Sequence, residues 1–156
     1  MGRIQIGGEI DRNHATFGLW HEALEPDVLT SALSLTPSRA FEKGDPTPST
    51  HRDPNLRYRR GTWLLVSTLP EDVPLDRHLR HLLDQLHPRA DQIQTFVRGG
   101  YDARITCGLF LKRWNHGTEL LPSTIGRIAA LGVGFGLDIY GPDGAVDAVD
   151  DDDETG

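Results

Sequence analysis

Four groups of residues in this chain carry side chains that could do chemistry. Lys43-Gly44-Asp45, with Arg39 before it and Arg57-Tyr58-Arg59-Arg60 after it, has the composition of an anion grip. Forked guanidinium groups and backbone N–H donors beside a glycine suit phosphate or carboxylate. The competing reading is a loop pinned to the body by its own ion pairs. His78 and His81 stand one helical turn apart, a spacing from which a metal site can begin, but no third ligand of matching geometry is visible. Both lie off the apolar stripe of their helix and read as part of a solvated face. Cys107, the single cysteine, falls on the apolar side of its segment and reads as a buried thiol. Asp138, between Gly136 and Tyr140, could act as a general base or hold an arginine.

Strands and helices must position these groups. Residues 14–20 alternate: Ala15, Phe17 and Leu19 face one way, and His14, Thr16, Gly18 and Trp20 the other. Pro26 opens a helix with a Val28, Leu29, Ala32, Leu33 stripe that ends at Thr36-Pro37. Residues 36–60, with four prolines, read as a long irregular basic loop. Residues 62–68 read as a buried strand. Leu75, Leu79, Leu82, Leu83 and Leu86 line one face of a helix from about Pro74 to His87, and residues 91–97 suggest a short helical turn. Within 101–114, Ile105, Cys107, Leu109 and Leu111 alternate with Thr106, Gly108, Phe110, Lys112 and Trp114. A last helix from Pro122 buries Ile125, Ile128 and Ala129, with Gly132 as its C-terminal cap. The final strand, Gly134 to Tyr140, puts Phe135, Leu137 and Ile139 on the core side.

This order predicts an α+β fold: a two-layer sandwich with a mainly antiparallel four-to-five-stranded sheet and about three helices on one face. Residues 1–146 form the single domain, with 1–13 as an arm or hairpin. Residues 147–156 form a disordered acidic tail. The other sheet face then gathers glycines, aromatics and polar residues. Glycine inside a strand often marks close approach by a ligand or another backbone.

The net charge of −7 is concentrated at one end. Seven acids and no bases follow Gly141, which leaves 16 acids against 16 bases in the body. A neutral body with an acidic tail argues against general nucleic-acid affinity. No apolar run approaches the roughly 18 residues of a membrane helix. One cysteine excludes an internal disulfide, and a cytoplasmic location is expected. No Gly-x-x-x-x-Gly-Lys loop supports nucleotide chemistry, and nothing calls for a cofactor or metal.

Several segments in order carry a family resemblance: Thr16-Phe17-Gly18-Leu19-Trp20, Leu33-Ser34-Leu35-Thr36-Pro37-Ser38, Lys43-Gly44-Asp45, Gly61-Thr62-Trp63, the Pro74–Leu86 helix, and Leu131-Gly132 through Asp138-Ile139-Tyr140. Together they resemble the bacterial domain-of-unknown-function family numbered 4279, over about residues 14–140. His21-Glu22 departs from it, since the family tends to show glycine followed by an acid there. The resemblance implies one compact α/β domain and no particular reaction.

The leading functional expectation is a binding or interaction module of the immunity or regulatory kind that uses the uncovered sheet face. Its candidate residues are Trp20, Arg39, Lys43, Asp45, Trp63, Lys112, Trp114, Asp138 and Tyr140. The expected partner is a protein or a small anionic ligand. The alternatives are an enzyme acting on a small anionic substrate and a structural homodimer.

Overall fold

A computed structural model describes residues 8–48 and 53–142. The N-terminal half of the arm and the acidic tail lie outside these residues. The element order is β1 (Arg12–His21), α1 (Pro26–Leu33), β2 (Arg39–Phe41), β3 (Gly61–Val66), α2 (Leu75–Leu86), α3 (Ala90–Arg98), β4 (Asp102–Phe110), α4 (Pro122–Leu131) and β5 (Gly134–Tyr140). A single 3-10 turn, His87–Arg89, joins α2 to α3. The five strands lie in the order β2-β3-β1-β4-β5. All neighbours are antiparallel except β4 and β5, which the α4 crossover makes parallel. The sheet is therefore mixed.

Alternation along β1 decides what the helices cover. Ala15, Phe17 and Leu19 are fully buried, with Trp63, Leu65, Ile105, Cys107 and Leu109 on the same side of β3 and β4. The leucines of α2 seal this layer: Leu79, Leu82, Leu83 and Leu86 have no exposed surface. The helices α1, α2 and α3 pack against β3, β1 and β4 respectively. Each fully buried leucine or phenylalanine side chain of this kind stabilises the fold by roughly 1.5–3 kcal/mol through burial.

Arg89 ties the helical layer together. It donates to the carbonyls of Gln85 and Ser34 at 2.8 and 3.3 Å, and its Nε also donates to the Leu33 carbonyl. Terminal carbonyls of α1 that have no partner within the helix are thus satisfied from α2's far end. The helix stops at Ser34, which adopts a left-handed conformation at φ 50°. This is two residues before the expected Thr36-Pro37 stop.

Several other expectations are corrected. Residues 36–60 contain a strand, β2, and beyond it a small flap in which Pro46 bridges Arg57. The Gly44 N–H donates to the Tyr58 carbonyl at 2.8 Å, and the Tyr58 N–H to the Asp45 carbonyl at 3.0 Å. His78 is buried, not solvated: its Nδ1 lies 2.9 Å from the Ser67 hydroxyl. On α1, Val28 and Ala32 stay exposed and only Leu29 and Leu33 of the stripe are buried. On α4, Thr124 and Leu131 are buried, whereas Ile125 is 54% exposed and Ala129 is exposed. The largest correction concerns β5. Phe135, Leu137 and Ile139 point to the helix side, yet are 40%, 48% and 61% exposed. α4 packs on α2 and leaves β5 bare. Periodicity tells which residues share a face; it does not tell whether another element reaches that face.

Candidate functional site

The sheet face opposite the helices is built from the alternate residues of five strands. In β1 these are Arg12, His14, Thr16, Gly18 and Trp20, and in β4 they are Asp102, Arg104, Thr106, Gly108 and Phe110. Gly134, Gly136, Asp138 and Tyr140 continue the rows onto β5, and Arg39 and Phe41 supply the β2 end. No described helix covers this face, and flat rings from its own strands partly carpet it.

The glycines explain how the rings lie flat. A Cβ at Gly18 would fall inside the Trp20 indole, and one at Gly108 would fall inside the His14 imidazole. Gly18 and Gly108 therefore make room for the chain's own rings and not for an outside ligand. Gly136 differs: nothing lies within 4 Å of where its Cβ would be, so the space above it is open. Asp138, next to it along β5, is exposed.

Three arginines lie on the rings. The Arg12 guanidinium sits 4.1 Å above Phe110, which stacks on Tyr140 at 4.5 Å and 6°. Arg104 sits 5.4 Å from Trp20. Arg39 lies 5.3 Å from Phe41, which stacks on Tyr58 at 3.5 Å, and it also donates to the Tyr58 hydroxyl. Such contacts are each worth about 0.5–1 kcal/mol at exposed sites. Carboxylates at the margin steady the cations: Glu71 is 3.4 Å from Arg12, and Asp102 is 3.8 Å from Arg60 and also pairs with Arg104. A guanidinium has five N–H donors, so each arginine can still bond outward.

The sequence-derived candidates separate into four groups. Trp20, Arg39, Asp138 and Tyr140 share this face. Lys43 and Asp45 belong to the flap, where Lys43 pairs with Glu22 at 3.1 Å and Asp45 accepts the Glu42 N–H at 2.8 Å. They do not assemble with Arg39 into an anion grip; each is occupied holding the flap. Lys112 and Trp114 lie past the end of β4, with Lys112 at 3.8 Å from Asp11 and Trp114 79% exposed. Trp63 is removed from the surface altogether. It is buried on the helix side, edge-on to Phe17, and its Nε1–H donates to the Thr30 hydroxyl at 3.1 Å.

Arg12, Arg104, Phe41 and Tyr58 belong to the face but were not among the candidates. Arg104 was within reach, since it shares parity with Thr106 and Gly108 in the same strand. Phe41 had no such signal because its strand is only three residues long, and Tyr58 lies outside any strand.

Burial pushes the Cys107 thiol up to about 12, so at neutral pH it is a protonated core side chain and no nucleophile. Among the described residues, no three His, Cys, Asp or Glu side chains gather as a metal site. Nor is any described helix long and apolar enough to cross a membrane.

The chain matches the family described as "Domain of unknown function (DUF4279)" over residues 11–142. It belongs to that family. No curated protein and no solved structure matches it. The matched span of this DUF4279 chain begins one residue before β1 and ends two residues after β5. All five strands, and with them the ring-and-arginine face, therefore lie inside the family's domain.

Proposed function

We propose that this DUF4279 domain is a binding module whose docking surface is the uncovered sheet face, and that its partner is a protein segment carrying carboxylates. The observation behind this reading is the set of three arginines resting on rings at Phe110–Tyr140, Trp20 and Phe41–Tyr58. Rings give flat apolar contact at low entropy cost, and preset guanidinium groups lose little freedom on meeting a carboxylate. Aromatic residues and arginine are also the side chains that dominate interface energetics. The open space over Gly136 lets a side chain enter beside Asp138. An anionic-substrate enzyme gains no support from the flap, because Lys43 is already paired.

Panning random displayed peptides on the full chain tests the reading, with Arg104→Ala and Gly136→Trp as controls. Both changes are on exposed or open positions, so far-ultraviolet circular dichroism should stay unchanged. Acidic peptides should be enriched on the wild type and bind each variant about tenfold more weakly, a loss of about 1.4 kcal/mol. Enrichment that is equal on all three proteins, or enrichment without acidic residues, sinks the proposal.

A further inference from the structure

We infer that a second copy of this chain docks on β5 about a two-fold axis through Leu137, joining two sheets edge to edge. This edge meets the ring-and-arginine face along β5, where Gly136, Asp138 and Tyr140 belong to both, but the inference rests on the edge backbone and the helix-side residues and stands without the proposed function.

Among the described residues nothing occupies this edge. β5 is last in the strand order, and no described segment pairs with its outer side. The Leu111 N–H donates to the Tyr140 carbonyl at 2.9 Å, so Tyr140 and its alternates Asp138, Gly136 and Gly134 turn their backbone groups toward β4. Phe135, Leu137 and Ile139 therefore turn theirs outward. Natural edges are usually blunted by lysine, proline, a bulge or short length. β5 is seven residues long and contains no lysine or proline. Its single charge, Asp138, points to the opposite face from the apolar side chains.

The side chains are complementary to themselves under a two-fold. Leu137 is the midpoint of β5, so an antiparallel pair centred there is the only register that pairs all seven residues. The outward-turned backbones of Phe135, Leu137 and Ile139 then meet their counterparts, as an antiparallel ladder requires. On the helix side, Phe135 falls opposite Ile139 of the second copy, an aromatic–β-branched pair. On the other side, Gly134 faces Tyr140 of the second copy, and Gly136 faces its Asp138. Each small residue meets a larger one, and the two Asp138 carboxylates lie diagonally. Such self-matching is what an isologous contact needs, and an unrelated strand has no reason to supply it.

The area is adequate. Phe135, Leu137 and Ile139, with Ile125 of α4, are each about half exposed. At roughly 200 Å² for a large side chain, they offer about 400 Å² of apolar surface per copy. The backbone edge and Tyr140 carry this toward the roughly 800 Å² per partner of a stable interface.

Light scattering on the full chain should give twice the mass of one chain. Leu137→Lys sets lysine against lysine at the axis and should give a folded monomer, with its mass halved and its circular dichroism unchanged. The register is read separately. Phe135→Cys and Ile139→Cys chains, mixed and oxidised, should form the mixed disulfide well above either chain alone. Paired Cα atoms in this register lie about 5.5 Å apart, within disulfide reach. Buried Cys107 adds little background. A monomeric wild type, as would result if residues 1–7 or 143–156 occupied the β5 edge, overturns the inference. So does a dimer that survives Leu137→Lys, or cross-linking that is no greater in the mixture.

Discussion

At the β2 end of the sheet, residues 42–48 and 53–58 form a flap, Tyr58 stacks on Phe41, and Arg39 donates to the Tyr58 hydroxyl. At the β5 end nothing comparable is found among the described residues, and Phe135, Leu137 and Ile139 stand half exposed. Both are edge strands of one sheet, and both run beside buried neighbours. The contrast shows that edge protection is achieved locally, by what the next segment of chain happens to do. The chain after β2 lays Tyr58 over Phe41 and Arg39, and the described residues after β5 add only Gly141 and Pro142.

The sharpest test compares an apolar side chain of the sheet centre with one of the β5 edge. Phe17→Ala removes a fully buried ring between α2 and the sheet and should cost about 3–5 kcal/mol. Leu137→Ala, measured at a concentration where the chain is monomeric, should cost less than about 1 kcal/mol because its surroundings are already wet. Urea denaturation of both variants gives the answer, and equal costs would mean that β5 is covered after all.

A smaller effect separates the filled glycine niches from the open one. Gly18→Ala forces the Trp20 ring off its seat and should cost about 1–3 kcal/mol, with a red shift in tryptophan emission. Gly136→Ala enters open space and should leave both stability and emission nearly unchanged. If the two variants melt alike, the ring does not lie over Gly18.

The smallest effect is on pH dependence. Burial holds His78 below its ordinary value of 6.5, with His14 and His81 adding repulsion. The unfolded chain takes up the proton near pH 6.5, and the native chain resists it. Stability on this account is complete above pH 6.5 and is lost as the pH falls below it. His78→Gln should flatten that slope at a lower baseline, while Leu137→Ala should leave it intact. An unaltered slope in His78→Gln would assign the dependence to another group.

Much of the layout was legible because it rests on period. The two-residue alternation of β1 and β4 placed Phe17, Leu19, Ile105 and Cys107 on the core side, and the leucine spacing of α2 gave its buried face. What escaped depends on neighbours distant in sequence. Phe135, Leu137 and Ile139 alternate just as Ala15, Phe17 and Leu19 do, and only the position of α4 leaves the first set exposed. Trp63 looked like surface aromatic area, but Thr30 waits for its indole N–H 33 residues away. His78 sits just off the leucine stripe, and Ser67 on another segment draws it inside. The glycines on the open face were visible, but the occupants of their niches were not, because rotamers of Trp20 and His14 decide them.

Arg89 has a consequence for the order of assembly. The carbonyls that end α1 obtain their donors from a residue 55 and 56 positions later. The α1 terminus therefore cannot be completed during synthesis until the corner between α2 and α3 has emerged and docked. Early in folding, the first helix is left with a frayed end that closes only when more than half of the domain exists.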